Sequence, residues 1–273
     1  GQIALVHNGN IPGYKELRKK YQQKGALFHT NSDSEVLLVA IAQAVQKKDI
    51  VASLREALKP VQGAYCLLIL TNDYFVAVRD PWGIRPLCLG SIENGWALSS
   101  ESTGFDLIGA KLEREIKPGE ILLIPRKGKI KSYSLSDSSS GKAKCIFELV
   151  YFSRPDSHVF GQDVYNTRHT LGKILAKESP AKGADVVIPV PDSANVQALG
   201  YAQAAGLPCE EGLVRSHYIG RTFIAPSQKI RDFSARLKYN PVRSVLKGKK
   251  VVVVDDSIVR GTTSRKIINL IRK

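Results

Sequence analysis

Lys250-Val251-Val252-Val253-Val254-Asp255-Asp256-Ser257-Ile258-Val259-Arg260-Gly261-Thr262-Thr263 runs four valines directly into two carboxylates and a loop rich in hydroxyls. An unbroken β-branched run reads as a strand buried on both faces. The loop opens a helix expected over 264–272, so backbone N–H groups at its N-terminus are placed to cradle a phosphate. Two adjacent acids exceed what a helix cap needs. They can accept hydrogen bonds from vicinal sugar hydroxyls, directly or through a hard cation such as Mg²⁺. Ligands of open α/β sheets sit at the carboxyl ends of strands.

Outward from this segment the same alternation continues. Residues 167–177 read as a helix, 185–190 as a buried strand and 194–205 as a helix ending at Gly206. This is an α/β pattern with a parallel sheet covered on both faces. Val187-Ile188-Pro189-Val190-Pro191-Asp192-Ser193 ends a strand in a loop suited to pyrophosphate and its metal; a plain N-cap by Asp192 or Ser193 accounts for the same residues. Tyr218-Ile219-Gly220-Arg221-Thr222-Phe223-Ile224-Ala225-Pro226 reads either as an ordinary loop or as a lid over a polyphosphate. In the lid reading, Arg221 supplies a bidentate phosphate contact.

Upstream of the serine-rich stretch 132–144, which reads as a linker or exposed loop, the pattern changes. Residues 2–6 form an apolar run ending in His7-Asn8-Gly9-Asn10, a turn signal. Residues 14–24 are helix-like. The polar cluster Asn31-Ser32-Asp33-Ser34-Glu35 caps an expected helix over 36–42. Strands are expected at 64–70, 75–78, 87–90, 96–99 and 121–125, separated by turn residues. This half is α+β. Two domains follow, 1–140 and 141–273.

The chain has 273 residues, 40 Lys and Arg, 25 Asp and Glu, and a net charge of +15. Residues 213–273 hold 15 basic and only 3 acidic side chains. Such a cluster suits a nucleic-acid footprint, a polyphosphate pocket or a solvated lysine face. Interleaved aromatics and a nucleic-acid recognition motif are lacking, and no apolar run approaches the ~18 residues of a membrane span. Neither nucleic acid nor membrane is therefore expected as a partner. The cysteines Cys66, Cys88, Cys145 and Cys209 form no C-x-x-C pair and fit a reducing compartment. The sequence contains no Met and opens on Gly1 in what reads as mid-strand. The expectation is a stretch of a longer protein, truncated at both ends.

The segment from Val254 to Thr263 resembles the phosphoribosyl pyrophosphate (PRPP) motif of type I phosphoribosyltransferases. That resemblance implies ribose contacts from Asp255 and Asp256, and a 5′-phosphate loop of Ser257, Gly261, Thr262 and Thr263. His7-Asn8-Gly9-Asn10 followed by Thr30-Asn31-Ser32-Asp33-Ser34-Glu35 is similar to the glutaminase half of N-terminal-nucleophile amidotransferases. A tetrahedral intermediate needs two donors at its oxyanion; the Asn8 amide and Gly9 N–H supply them, and Asp33 would hold the glutamine α-amino group. Read structurally, Asn8-Gly9 is a hairpin turn and Asp33 a helix cap.

With Arg79-Asp80-Pro81-Trp82-Gly83-Ile84-Arg85-Pro86-Leu87 and Tyr151-Phe152-Ser153-Arg154-Pro155-Asp156-Ser157, the combination resembles the amidophosphoribosyltransferase family. The resemblance implies an αββα N-terminal-nucleophile glutaminase domain followed by an α/β type I phosphoribosyltransferase domain. The implied enzyme makes 5-phosphoribosylamine from glutamine, PRPP and water, the first committed step of purine synthesis. It also implies Mg²⁺ at Ser193, Asp255 and Asp256, and, in the full-length protein, a [4Fe-4S] cluster whose first ligand matches Cys145 and whose other three would lie beyond residue 273. Purine nucleotides as feedback inhibitors, a homo-oligomer, and a cytoplasmic or plastid-stroma location follow from the same source. The family nucleophile is a processed N-terminal Cys whose α-amino group acts as base. Residue 1 here is Gly, so the chain as given is expected to lack glutaminase activity. The rival readings are a PRPP-binding regulator that kept the fold, and a basic nucleic-acid-binding protein.

Overall fold

The computed structural model describes residues 2–45, 49–135, 143–216 and 239–272. The chain divides into two compact units, residues 1–148 with 158–161, and residues 149–157 with 162–273. The break therefore falls after Glu148, beyond the serine-rich stretch, and 158–161 return to the first unit. Hydrogen bonds explain the return: His158 N–H donates to Ser102 Oγ at 2.8 Å, and Gly161 N–H to a Glu115 carboxylate oxygen at 3.0 Å. Lys144 Nζ donates to the Phe160 carbonyl at 3.0 Å.

The first unit contains, in order, β1 (Ala4–Asn10), α1 (Tyr14–Gln22), α2 (Asp33–Val45), α3 (Ile50–Leu58), β2 (Ala64–Leu70) and β3 (Tyr74–Arg79). Next come β4 (Cys88–Ile92), β5 (Gly95–Ser99), α4 (Thr103–Asp106), β6 (Lys111–Glu115), β7 (Glu120–Pro125), β8 (Lys131–Ser134) and the two-residue β9 (His158–Val159). One antiparallel sheet has the order β1-β2-β3-β7-β8 and a second the order β5-β4-β6. Alternation along β2 explains the layering. Leu67 and Ile69 pack with Leu37 and Ile41 of α2 and Leu54 of α3. Cys66 faces the other way, packing with Ala77, Leu87, Leu89 and Ile116 in the layer between the sheets.

A buried polar turn joins β3 to β4. The Asp80 carboxylate accepts from the N–H groups of Trp82 (3.0 Å), Ile84 (3.2 Å) and Tyr65 (3.4 Å). Arg79 donates through Nε to the Arg85 carbonyl (2.8 Å) and through Nη2 to the Gly83 carbonyl (3.1 Å). The serine-rich stretch is not all linker: its first residues form β8, because Tyr133 packs onto the core and Leu135 is buried.

The second unit holds β10 (Gln162–Asp163), α5 (Val164–Glu178), β11 (Val186–Pro189), α6 (Asn195–Ala205), β12 (Leu213–Arg215) and β13 (Tyr239–Pro241). It closes with α7 (Arg243–Leu246), β14 (Val251–Val254) and α8 (Thr262–Ile271). Strands β11 and β14 pair in parallel, from Val186 opposite Val251 to Pro189 opposite Val254. Both faces are covered, as the valine run requires: Val186 and Ile188 pack with Leu246 and Ile267, while Val187 packs with Ala198 and Ala202 of α6. The expected parallel sheet is narrow. Among the described residues it is a strand pair plus one parallel bridge from Val187 to Cys209. These residues do not make up a complete phosphoribosyltransferase domain.

Candidate functional site

Asn8 and Gly9 lie inside a strand, not in a turn. β1 continues through Asn10, with Asn8 opposite Cys66 and Gly9 opposite Tyr65. The turn signal fails because alternate residues face different layers: His7 and Gly9 turn toward the helices, Asn8 toward the second sheet. Tyr65 gives its carbonyl to the Asp80 N–H at 2.8 Å and its own N–H to the Asp80 carboxylate, so both point toward β3. The Gly9–Tyr65 pair is therefore of the non-hydrogen-bonded kind, and the Gly9 N–H points away from β2. β1 is the edge of its sheet. Hence Gly9 offers an open backbone donor beside the exposed Asn8 side chain. Glycine is required here by close approach: a Cβ would lie 2.0 Å from the Ala64 carbonyl oxygen and 2.6 Å from His7 Nε2.

Asp33 stands at the start of α2, yet its carboxylate is turned to β1. One oxygen accepts from the Ile11 N–H at 3.0 Å, and the other lies 3.7 Å from His7 Nδ1. Asp33 therefore does more than cap its own helix. The preceding loop is fixed by Glu35, whose carboxylate accepts from the N–H groups of His29 (2.7 Å) and Thr30 (2.8 Å) and from Thr30 Oγ1 (2.7 Å). These bonds lower the Glu35 pKa to about 2.

Sequence reasoning missed two members of this group. His7, its side chain 1% exposed, reaches Ser34 Oγ at 3.2 Å and lies under Gly9. Ser100 accepts a hydrogen bond from Asn8 Nδ2 at 3.0 Å. A histidine in the same strand was legible; a serine 92 residues away carried no local signal.

In the second unit, the register of β11 and β14 brings their carboxyl ends side by side, and Val190 N–H donates to the Val254 carbonyl at 2.8 Å. The loop with Asp192 and Ser193 and the loop with Asp255 and Asp256 thus leave the same edge. Neither Asp192 nor Ser193 caps α6: the cap residue is Ala194, with no side-chain cap bond. Asp192 instead pairs with Arg215 at 2.6 Å. Buried Tyr239 registers the gathering of charge. Burial raises its pKa, Arg215 opposes that shift, and Asp255 and Asp192 reinforce it. Asp256 takes the Ser257 hydroxyl, and its own N–H donates to Asp255 Oδ1 at 2.9 Å. Gly261, at φ 67°, precedes α8 in the left-handed region, which favours glycine. No side chain caps α8, so the N–H groups at Thr262 and Thr263 are open to an anion. Arg221 lies outside the described residues.

The metal expectations part company here. Among the described residues, no group of three or more His, Cys, Asp or Glu side chains is placed to hold a metal ion. Mg²⁺ commonly takes one or two carboxylates with substrate phosphates and water. Asp255 and Asp256 fit an ion that arrives with a polyphosphate, with Ser193 on the neighbouring loop. The described residues of this chain do not by themselves complete an iron–sulfur site. Cys66 and Cys88 are buried in β2 and β4, and Cys145 belongs to no group of three or more possible ligands among the described residues. Burial pushes the Cys66 and Cys88 thiols up to about 12, so both stay neutral near pH 7. Cys66, although opposite Asn8, is buried in the layer between the sheets.

Residues 1–106 match the glutamine amidotransferase domain family. The chain is 52% identical to amidophosphoribosyltransferase 1, chloroplastic, of Arabidopsis thaliana, over 100% of its own length and 48% of the relative. It is 46% identical to the amidophosphoribosyltransferase of Methanocaldococcus jannaschii, over 100% of its length and 61% of the relative. The solved glutamine PRPP amidotransferase of B. subtilis, complexed with ADP and GMP, superposes with a TM-score of 0.89 at 43% identity, covering 100% of this chain and 59% of that one. The layers of the first unit fit an N-terminal-nucleophile glutaminase fold. The chain spans about half the length of the curated relatives it matches. The chain is similar along its whole length to amidophosphoribosyltransferases of a plant, an archaeon and a bacterium.

Proposed function

We propose that this chain carries the glutamine site and the PRPP-binding loop of an amidophosphoribosyltransferase, with its first compact unit serving as glutaminase domain and its second as the start of the phosphoribosyltransferase domain. The observation that carries the reading is the Gly9 edge donor beside Asn8, with Asp33 turned toward the same strand. In the first reaction a thiolate attacks the glutamine amide carbon. The carbonyl oxygen gains negative charge, and Asn8 Nδ2–H and Gly9 N–H donate to it. Asp33 holds the substrate ammonium. Ammonia leaves, and water then hydrolyses the thioester to glutamate. None of the four cysteines of this chain is given the nucleophile's role.

In the second reaction ammonia attacks C1 of PRPP and pyrophosphate departs. Asp255 and Asp256 accept hydrogen bonds from the ribose hydroxyls. Ser257, Gly261, Thr262 and Thr263 hold the 5′-phosphate through hydroxyls and helix N–H groups. Arg221 contacts pyrophosphate. Mg²⁺, held with the substrate by Asp255, Asp256 and Ser193, would neutralise charge on the leaving group. The ADP and GMP of the B. subtilis enzyme support purine nucleotides as feedback ligands here.

The test measures both half-reactions in the full-length protein. Replacing both acids (Asp255→Asn with Asp256→Asn) is expected to lower transfer to PRPP at least about 100-fold with either glutamine or ammonia as donor. Glutamine hydrolysis stays within a few-fold. Transfer that survives this double substitution refutes the assignment.

A further inference from the structure

Asn8 is exposed on an edge strand, and an exposed carboxamide turns freely about χ1 and χ2. Catalysis by an oxyanion donor depends on the donor being in place before charge develops. Something must hold this side chain, and β1 itself does not. The hydrogen bond from Asn8 Nδ2 to Ser100 Oγ, 3.0 Å long, reaches across from the second sheet.

Ser100 is well placed to act as an anchor. It follows the last residue of β5, whose Ser99 pairs with Cys88 of β4. The residues around it are tied down: Ser99 Oγ accepts the Glu101 N–H at 3.3 Å, and Ser102 Oγ accepts the His158 N–H at 2.8 Å. Helix α4 then begins at Thr103, and buried Phe105 seats it against Gly90 of β4. The hydroxyl of Ser100 therefore rests on a fixed frame. An amide nitrogen carries two hydrogens about 120° apart. With one engaged by Ser100, the other is directed and left for a ligand.

We propose that Ser100 is a positioning residue for glutamine hydrolysis, acting through Asn8. Its hydroxyl pins the Asn8 carboxamide so that the second N–H meets the oxyanion. The proposal rests on the oxyanion reading of Asn8 and extends it to a residue that does not touch the substrate. Asp33, which holds the ground-state substrate, is untouched by the change. Loss of the anchor thus falls on kcat and not on KM.

The experiment is a kinetic cycle on the full-length protein with Asn8→Ala, Ser100→Ala, Ser100→Thr and the Asn8→Ala/Ser100→Ala double variant. Removing a whole oxyanion donor costs about 100- to 1,000-fold in kcat. Ser100→Ala, which frees the donor without deleting it, is expected to lower kcat for glutamine hydrolysis about 10-fold with KM unchanged. Ser100→Thr keeps a hydroxyl and restores kcat to within about two-fold. The double variant is no slower than Asn8→Ala, since Ser100 acts only through Asn8. Ammonia-dependent transfer, unchanged in each, shows that the protein is folded. An unchanged kcat in Ser100→Ala, a rise in KM alone, or additive losses in the double variant overturn the proposal. An unchanged kcat in Asn8→Ala overturns the oxyanion reading itself, and this proposal with it.

Discussion

At the residue scale, the candidate glutamine site is held by short polar contacts whose partners are mostly backbone. Glu35 is the clearest case. Its carboxylate takes two backbone N–H groups and a hydroxyl from residues 29 and 30, and so fixes the loop that leads into Asp33. Hydrogen bonds to the charged form lower its pKa from the ordinary 4.5 to about 2. A carboxyl depressed on folding contributes stability that is fully present above the unfolded value and is lost as pH falls through the folded one. The loop is therefore expected to keep its order through pH 4.5 and to loosen as pH approaches 2. Carboxyl titration by NMR gives a Glu35 midpoint near 2; a midpoint near 4.5 means that the bonds to His29 and Thr30 are absent in solution. Gly9 makes a different demand. It is there for space, since the Ala64 carbonyl and the His7 ring occupy the volume a side chain needs.

At the element scale, α5 and α6 approach closely. A Cβ on Gly172 would stand 2.0 Å from the Gln197 carbonyl oxygen, and one on Gly200 would stand 2.0 Å from the His169 carbonyl oxygen. The two helices touch backbone to backbone, and neither can yield by turning a side chain. Gly172→Ala is expected to destabilise the second unit by at least about 1–3 kcal/mol, the ordinary cost of overpacking. Urea unfolding read by circular dichroism checks this, and a change below about 0.5 kcal/mol, the range of neutral surface substitutions, contradicts it. Elements of this kind were also the most legible in sequence. β2 over Ala64–Leu70 was read to the residue because its strand is apolar on nearly every position. β6, Lys111–Glu115, was not read, because four charged residues in five hide a strand fixed by its pairing with β4. β1 was read short for a related reason: the polar and glycine residues His7, Asn8 and Gly9 look locally like a turn although they lie within the strand. Ser100 was invisible because its contact spans two sheets.

At the scale of the whole molecule, the question is what +15 does. Residues 213–273 concentrate the excess, with 15 basic side chains and 3 acidic ones. Those described there divide into two kinds. Arg215 is paired with Asp192 beside the carboxyl ends of the parallel strands, whereas Arg243, Lys247, Lys249, Lys250, Arg260, Arg265, Lys266 and Arg272 are exposed. Exposed charges at this spacing make a diffuse positive field, and such a field attracts any polyanion while being screened within ~8–10 Å at ordinary ionic strength. A built phosphate site behaves differently, since its hydrogen bonds and helix N–H groups act at contact distance. Salt therefore separates the two. Random duplex DNA bound at 50 mM salt is expected to lose about 1,000-fold or more in affinity by 200 mM. Over the same range the KM for PRPP in the full-length protein changes by less than about ten-fold, because contact hydrogen bonds survive screening. Fluorescence anisotropy with labelled DNA and steady-state kinetics with PRPP give the two slopes. Tight DNA binding that persists at 200 mM salt revives the nucleic-acid reading of the basic segment. Equal slopes for the two ligands mean that PRPP is held by the field alone and not by Asp255, Asp256 and the loop that follows them.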